Sequence, residues 1–226
     1  MALRSFVFSD NDFVMAYHIL IEKKRKWTVR DFEKYKISKR LAADFYNNLI
    51  NEGILSRKTP FGPKSFCYLK NRSKLIKMCV EQFVRPEKKT LNFVSTRDIG
   101  YIIDEIKNLK IEFYLAKFSG IKPSLKYVQD EKLYVFLPDL KLFRSESISM
   151  LEKKLGIHRV NSGGNVLFFL PRYRKFLRHN FQEINGFRMP SDFYSYLDMS
   201  TIPNPRGREQ ADNMLAKLKK QEGSFA

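Results

Sequence analysis

Apolar side chains return every three or four positions at the start of the chain, where Phe13, Ala16, Tyr17, Ile19, Leu20 and Ile21 mark a helix over residues 10–24. Asp10 or Asn11 is placed to cap it by accepting from orphan backbone N–H groups. After the basic run 23–26, Thr28 and Asp31 stand at capping-box spacing before a short helix, Val29 to Tyr35, that buries Val29 and Phe32. Ser38 caps a third helix, with Leu41, Ala42, Phe45, Leu49 and Ile50 as its apolar face and Gly53 as its left-handed stop. Alternating segments at 54–58 and 65–69, broken by Thr59-Pro60-Phe61-Gly62-Pro63-Lys64, predict a β-hairpin. Helix, short helix, capped helix and hairpin, in that order, predict a winged helix-turn-helix over residues 1–72.

The remaining residues, 73–226, predict a compact α+β domain, so the fold class of the whole chain is α+β. A helix from Lys74 to Val84 ends at Pro86, and a second, Thr96 to Leu109, follows Ser95 as its cap. Leu133 to Leu137 is a buried strand, and a helix from Glu146 stops at Gly156. His158–Val160 and Asn165–Leu170 flank Ser162-Gly163-Gly164 as a second hairpin. Ser191 caps a helix running toward Met199, and Arg206 to Lys220 form a last helix with Ala211, Met214, Leu215 and Leu218 inward.

Composition narrows the class. With 226 residues, 43% apolar and 14% aromatic, the chain can build one large or two small cores, which excludes a disordered protein. No stretch approaches the roughly 20 apolar residues of a membrane span, and Met-Ala-Leu-Arg-Ser lacks the pattern of a secretory signal, so a cytoplasmic location is expected. Cys67 and Cys79 belong to no CxxC or Cys/His cluster and read as buried thiols of a reducing compartment.

Charge adds a partner. The net +18 points to a polyanion, because Lys and Arg release the counterions condensed on phosphates. Residues 1–70 carry +7 and the other 156 carry +11, so charge is denser at the N-terminus without being confined to it. On the third helix, Ser38, Lys39, Arg40, Ala43, Asp44 and Asn47 lie opposite the apolar face, with Asn48 beside them. These side chains are small, polar or basic, as a helix entering the major groove of double-stranded DNA requires. Arg30 and, on the wing, Arg57, Lys58 and Lys64 are the candidate phosphate contacts.

Catalytic signatures are weak. No GxxxxGK[ST] or GxSxG occurs, Ser162-Gly163-Gly164-Asn165 falls in a turn, and His18, His158 and His179 are isolated in sequence. Asp139 follows a strand, and Asp198 is placed to accept from Arg206 or Arg208, a structural pairing. Tyr114, Phe118, Tyr127, Tyr134 and Phe136 lie among lysines, where core packing outweighs base stacking. No enzyme activity, cofactor or metal is expected. Two alternatives stand: a magnesium-dependent nuclease guided by the N-terminal domain through Asp139 or Asp198, and a winged-helix scaffold that binds only protein.

Three stretches carry a family resemblance: WTVRDFEKYKISKRLAADFYNNLINEGIL, then GGNVLFFLP at 163–171, then FYSYLDMSTIPNPRGREQADNMLAKL at 193–218. Together they resemble the AbiEi-type antitoxins, transcriptional regulators of viral defence systems. The third resembles that family's ending, a Leu-Asp followed by Arg-Gly-Arg-Glu opening the last helix; residues 86–130 match nothing in it. The resemblance implies a repressor of its own operon that binds inverted repeats and neutralises a nucleotidyltransferase-like toxin. A homodimer is expected from the symmetry of such operators.

Overall fold

A computed structural model describes residues 7–22, 26–58, 65–83, 87–122, 126 and 130–222, with side chains as far as 217. It is a mixed α+β chain in two compact units, Met1–Val84 and Arg85–Ala226.

The first unit opens with α1, Asp10–Ile21. Its cap is Ser9 rather than Asp10 or Asn11. Ser9 Oγ accepts from the Asp12 N–H at 3.3 Å while Asp12 Oδ2 accepts from the Ser9 N–H at 2.8 Å, a reciprocal box that needs the acid three residues on. Burial raises the Asp12 carboxyl above its usual value, and the Ser9 bonds oppose part of the rise. Residues Val29–Tyr35 form a 3-10 helix, with the Thr28 N–H and hydroxyl both donating to Asp31 Oδ2, at 2.5 and 3.1 Å. Lys36, at φ 55°, ends it in the left-handed region. Val29 is only half-buried; Phe32 alone of the expected pair is fully inside.

Helix α2, Lys39–Asn51, starts where Ser38 Oγ accepts from the Leu41 N–H at 3.3 Å. Gly53, at φ 67°, turns the chain into β1, Leu55–Arg57, which pairs antiparallel with β2, Cys67–Leu69. Trp27 flanks β2 on its other side, exchanging two backbone bonds of 2.8 Å with Cys67. Helix α3, Arg72–Gln82, closes the unit: Leu75, Cys79 and Phe83 are buried, and the Phe83 ring meets Phe13 edge-on at 5.3 Å. The first unit runs to Val84, and α3 belongs with it because it covers the first core. Cys67 and Cys79 are free, buried thiols.

The second unit centres on a five-stranded sheet. Its strands are β3 Glu87–Val94, β4 Tyr114–Leu115, β5 Leu133–Phe136, β6 His158–Val160 and β7 Val166–Pro171, in the spatial order β4-β5-β7-β3-β6. Among the described strands of this sheet only β5 and β7 run parallel. The expected hairpin of His158–Val160 with Asn165–Leu170 does not form. β3 lies between those strands, pairing residues 92–94 with β6 and 87–93 with β7. The joining segment runs hard against β3, where a Cβ at Gly164 would lie 2.2 Å from the Phe93 carbonyl oxygen. β7 is the middle strand and reads as a continuous apolar run, as a strand covered on both faces must.

Helices and turns cover the sheet. Helix α4, Ile99–Asn108, is capped by Asp98, which accepts from the Gly100 N–H at 2.7 Å. Ser95, the expected cap, accepts from the Arg97 N–H at 3.0 Å, ahead of the helix, while its own N–H donates to Asn165 Oδ1 at 2.9 Å and its hydroxyl to the Gly156 carbonyl at 3.3 Å. 3-10 turns occupy Lys117–Gly120 and Leu140–Phe143. Helix α5, Ser145–Leu155, stops at Gly156, φ 62°, and α6 spans Arg174–His179. Strands β8, Phe181–Ile184, and β9, Phe187–Pro190, form a hairpin around Asn185-Gly186, both at positive φ as a tight primed turn requires. Helix α7, Asp192–Ser200, is capped by Ser191, and α8, Pro205–Glu222, buries Ala211 and Met214 with Leu215 half-buried; the Leu218 side chain lies outside the described residues. Phe93, Ile102, Val135, Leu151 and Phe168 form the centre of this second core. No helix among the described residues is long and apolar enough to cross a membrane.

Candidate nucleic-acid interface

The charged face of α2 exists because its other face is consumed by the core. Ala42, Phe45, Tyr46 and Leu49 are buried, and Tyr46 is anchored by its hydroxyl donating to the Thr28 carbonyl at 3.1 Å. Burial pushes the Tyr46 phenol far up, so it stays protonated and keeps that bond. The helix is thus fixed in rotation with Ser38, Lys39, Arg40, Asp44 and Asn47 exposed and Ala43 half-buried. All six expected groove residues share this one face.

Their surroundings differ. Lys39 Nζ pairs with Glu33 Oε1 at 3.2 Å, which partly neutralises it. Ser38 is engaged as the cap. Asn47 Oδ1 accepts from Arg57 Nη2 at 2.8 Å, joining the helix to β1. Arg57 also reaches the Cys67 thiol; burial raises that thiol above its usual value, and Arg57 opposes the rise. Lys58 is exposed just beyond β1, with its backbone N–H donating to the Phe66 carbonyl at 3.2 Å, which carries the hairpin pairing one step further. Arg30 is exposed on the 3-10 helix. Lys64 and the turn 59–64 lie outside the described residues. The geometry therefore gathers the α2 residues with Arg57.

Sequence reading passed over two neighbours. Tyr68 is an exposed aromatic on β2, and Lys26 stands 5.0 Å from the Phe66 ring centroid. Alternation along 65–69 would have placed Tyr68 outward, because Cys67 and Leu69 face the other way.

In the second unit, Asp198 is 1% exposed, and its neighbours are not Arg206 or Arg208. Oδ2 accepts from the Lys117 backbone N–H at 3.1 Å, and the Lys117 ammonium pairs with Glu87 Oε1 at 2.5 Å. The expectation failed because the Asp198 carboxylate is taken up by the 3-10 turn at Lys117. Burial raises the Asp198 carboxyl to about 7, with the nearby Lys117 charge opposing the rise. Asp139 is exposed and caps its own turn, accepting from the Lys141 N–H at 2.9 Å. Among the described residues no three His, Cys, Asp or Glu gather as a metal-ligand set. His18 is buried beside Glu22 and stacked on Tyr35, while His158 and His179 are exposed. Tyr114, Phe118 and Phe136 are buried and Tyr134 half-buried, as core packing demands; Tyr127 lies outside the described residues.

Comparison with protein-family models, with curated proteins and with solved structures finds no match to this chain.

Proposed function

We propose that the first unit is a winged helix-turn-helix and that the chain is a sequence-specific, DNA-binding transcriptional repressor of the AbiEi antitoxin type. It regulates its own operon and antagonises a nucleotidyltransferase-like toxin. The observation that supports this most is the exposed face of α2, where Lys39, Arg40, Asp44 and Asn47 stand clear of the core with Arg57 alongside. Arg40 and Asn47 read base edges in the major groove, while Arg30, Arg57, Lys58 and Lys64 hold phosphates. The toxin role rests on the sequence resemblance alone.

Binding of the purified chain to the DNA upstream of its own coding sequence, against a scrambled duplex, tests the reading. Discrimination of about a thousandfold supports a repressor. Equal binding to the two duplexes would leave only the attraction of a +18 chain for phosphate.

A further inference from the structure

The segment Lys110–Glu112 after α4, the stretch 138–144 and helix α6 line an open hollow of about 560 Å³ in the second unit. That volume lies within the range of small-molecule sites. Five cations line it, Lys110, Lys141, Arg144, Arg174 and Arg178, against two carboxylates, Glu112 and Asp139, a balance of +3.

Both carboxylates are already engaged. Glu112 accepts from Arg178 through Nε at 2.9 Å and Nη2 at 2.5 Å, and from the Tyr114 hydroxyl at 2.9 Å. The Arg178 guanidinium holds the Glu112 carboxyl below its usual value. Asp139 is occupied by the Lys141 N–H. Arg174 spends one of its five donors on the Pro138 carbonyl at 3.3 Å, which aims the rest of its fork. The side chains of Lys110, Lys141 and Arg144 are exposed and form no ion pair with a carboxylate of the described residues. Gathering five cations against two carboxylates raises the local potential and favours an entering anion. Leu140, 48% exposed, and the half-buried Ile111 and Leu142 supply an apolar wall beside them.

We infer that this hollow binds a small phosphate-bearing ligand of the nucleoside di- or triphosphate class. Guanidinium forks match the oxygens of phosphate in pairs, and an anion of several charges answers a +3 lining where a single carboxylate would not. The organic part of the ligand lies against Leu140 and Ile111.

Calorimetric titration of the full chain with pyrophosphate and with ATP tests this, without any DNA present. The expected result is one saturable site per chain, with ATP bound more tightly than pyrophosphate. Lys141→Gln and Arg144→Gln each weaken binding about tenfold, as the loss of a charged contact would. Arg159→Gln, on exposed β6 and outside the hollow, leaves it unchanged. Matched thermal unfolding curves verify that the variants fold. Three results would overturn the inference: no saturable binding below millimolar concentration, equal weakening by Arg159→Gln, or binding of a short oligonucleotide that Arg144→Gln abolishes while ATP does not bind.

Discussion

Arg57 Nη2 donates to Asn47 Oδ1 at 2.8 Å, so a guanidinium on the hairpin is aimed by an amide on the exposed face of α2. Sequence alone gives the two residues separate roles, one for bases and one for phosphate. Their contact makes them a unit. Arg57→Ala and Asn47→Ala are expected to be non-additive in DNA affinity, the double variant losing less than the summed single losses. Strict additivity in a double-mutant cycle would show that the contact has no bearing on binding.

Arg40 and Lys58 separate the two kinds of DNA contact. Arg40→Ala should narrow the gap between specific and random duplex by about 1–3 kcal/mol. Lys58→Ala should weaken both duplexes alike and reduce the salt slope by about 1. Equal losses from the two variants on both duplexes would refute the groove assignment.

Helix α3 decides where the first unit ends. A fragment of residues 1–84 should unfold cooperatively, whereas 1–72 lacks Leu75, Cys79 and Phe83 and leaves Phe13 uncovered. In the full chain, Phe83→Ala should cost about 3–5 kcal/mol, the range for emptying a buried aromatic site. Denaturant titration measures both; a cooperative transition in 1–72 equal to that of 1–84 would be inconsistent with α3 as part of that core.

Asp198 makes the second unit sensitive to pH. Its carboxyl rises from the ordinary 3.8 to about 7 on folding, chiefly through burial. The folded chain therefore holds a proton there that the unfolded chain has lost. Stability from this group is fully present below about pH 4, declines as pH rises toward 7, and is constant above that. Asp198→Asn keeps an acceptor for the Lys117 N–H and removes the charge. Its advantage over the parent should grow from pH 5 to pH 7, at up to about 1.4 kcal/mol per pH unit. A pH-independent difference between the two melting curves would contradict this account.

The local devices were the legible part. Ser38, Thr28 with Asp31, Gly53, Gly156 and Ser191 act as capping or stop residues where their spacing predicts them, because caps depend on neighbours three or four positions away. Strand pairing was not legible. β3 inserts between β6 and β7 through contacts some 70 residues apart in sequence, and nothing within His158–Leu170 signals a strand from elsewhere. Asn185-Gly186 did carry a hairpin signal that the reading passed over. On the candidate interface, the exposed face of α2 followed from helical periodicity, whereas the Asn47–Arg57 contact depends on how the hairpin folds back on the helix.

The repressor proposal stands on sequence-specific DNA recognition by the first unit. Fluorescence anisotropy with the chain's own upstream DNA and a scrambled duplex, at two salt concentrations, measures it directly. The expected result is a preference of about a thousandfold that persists near physiological salt. Equal affinities that collapse together as salt rises would contradict it, leaving the +18 charge as the whole of the attraction.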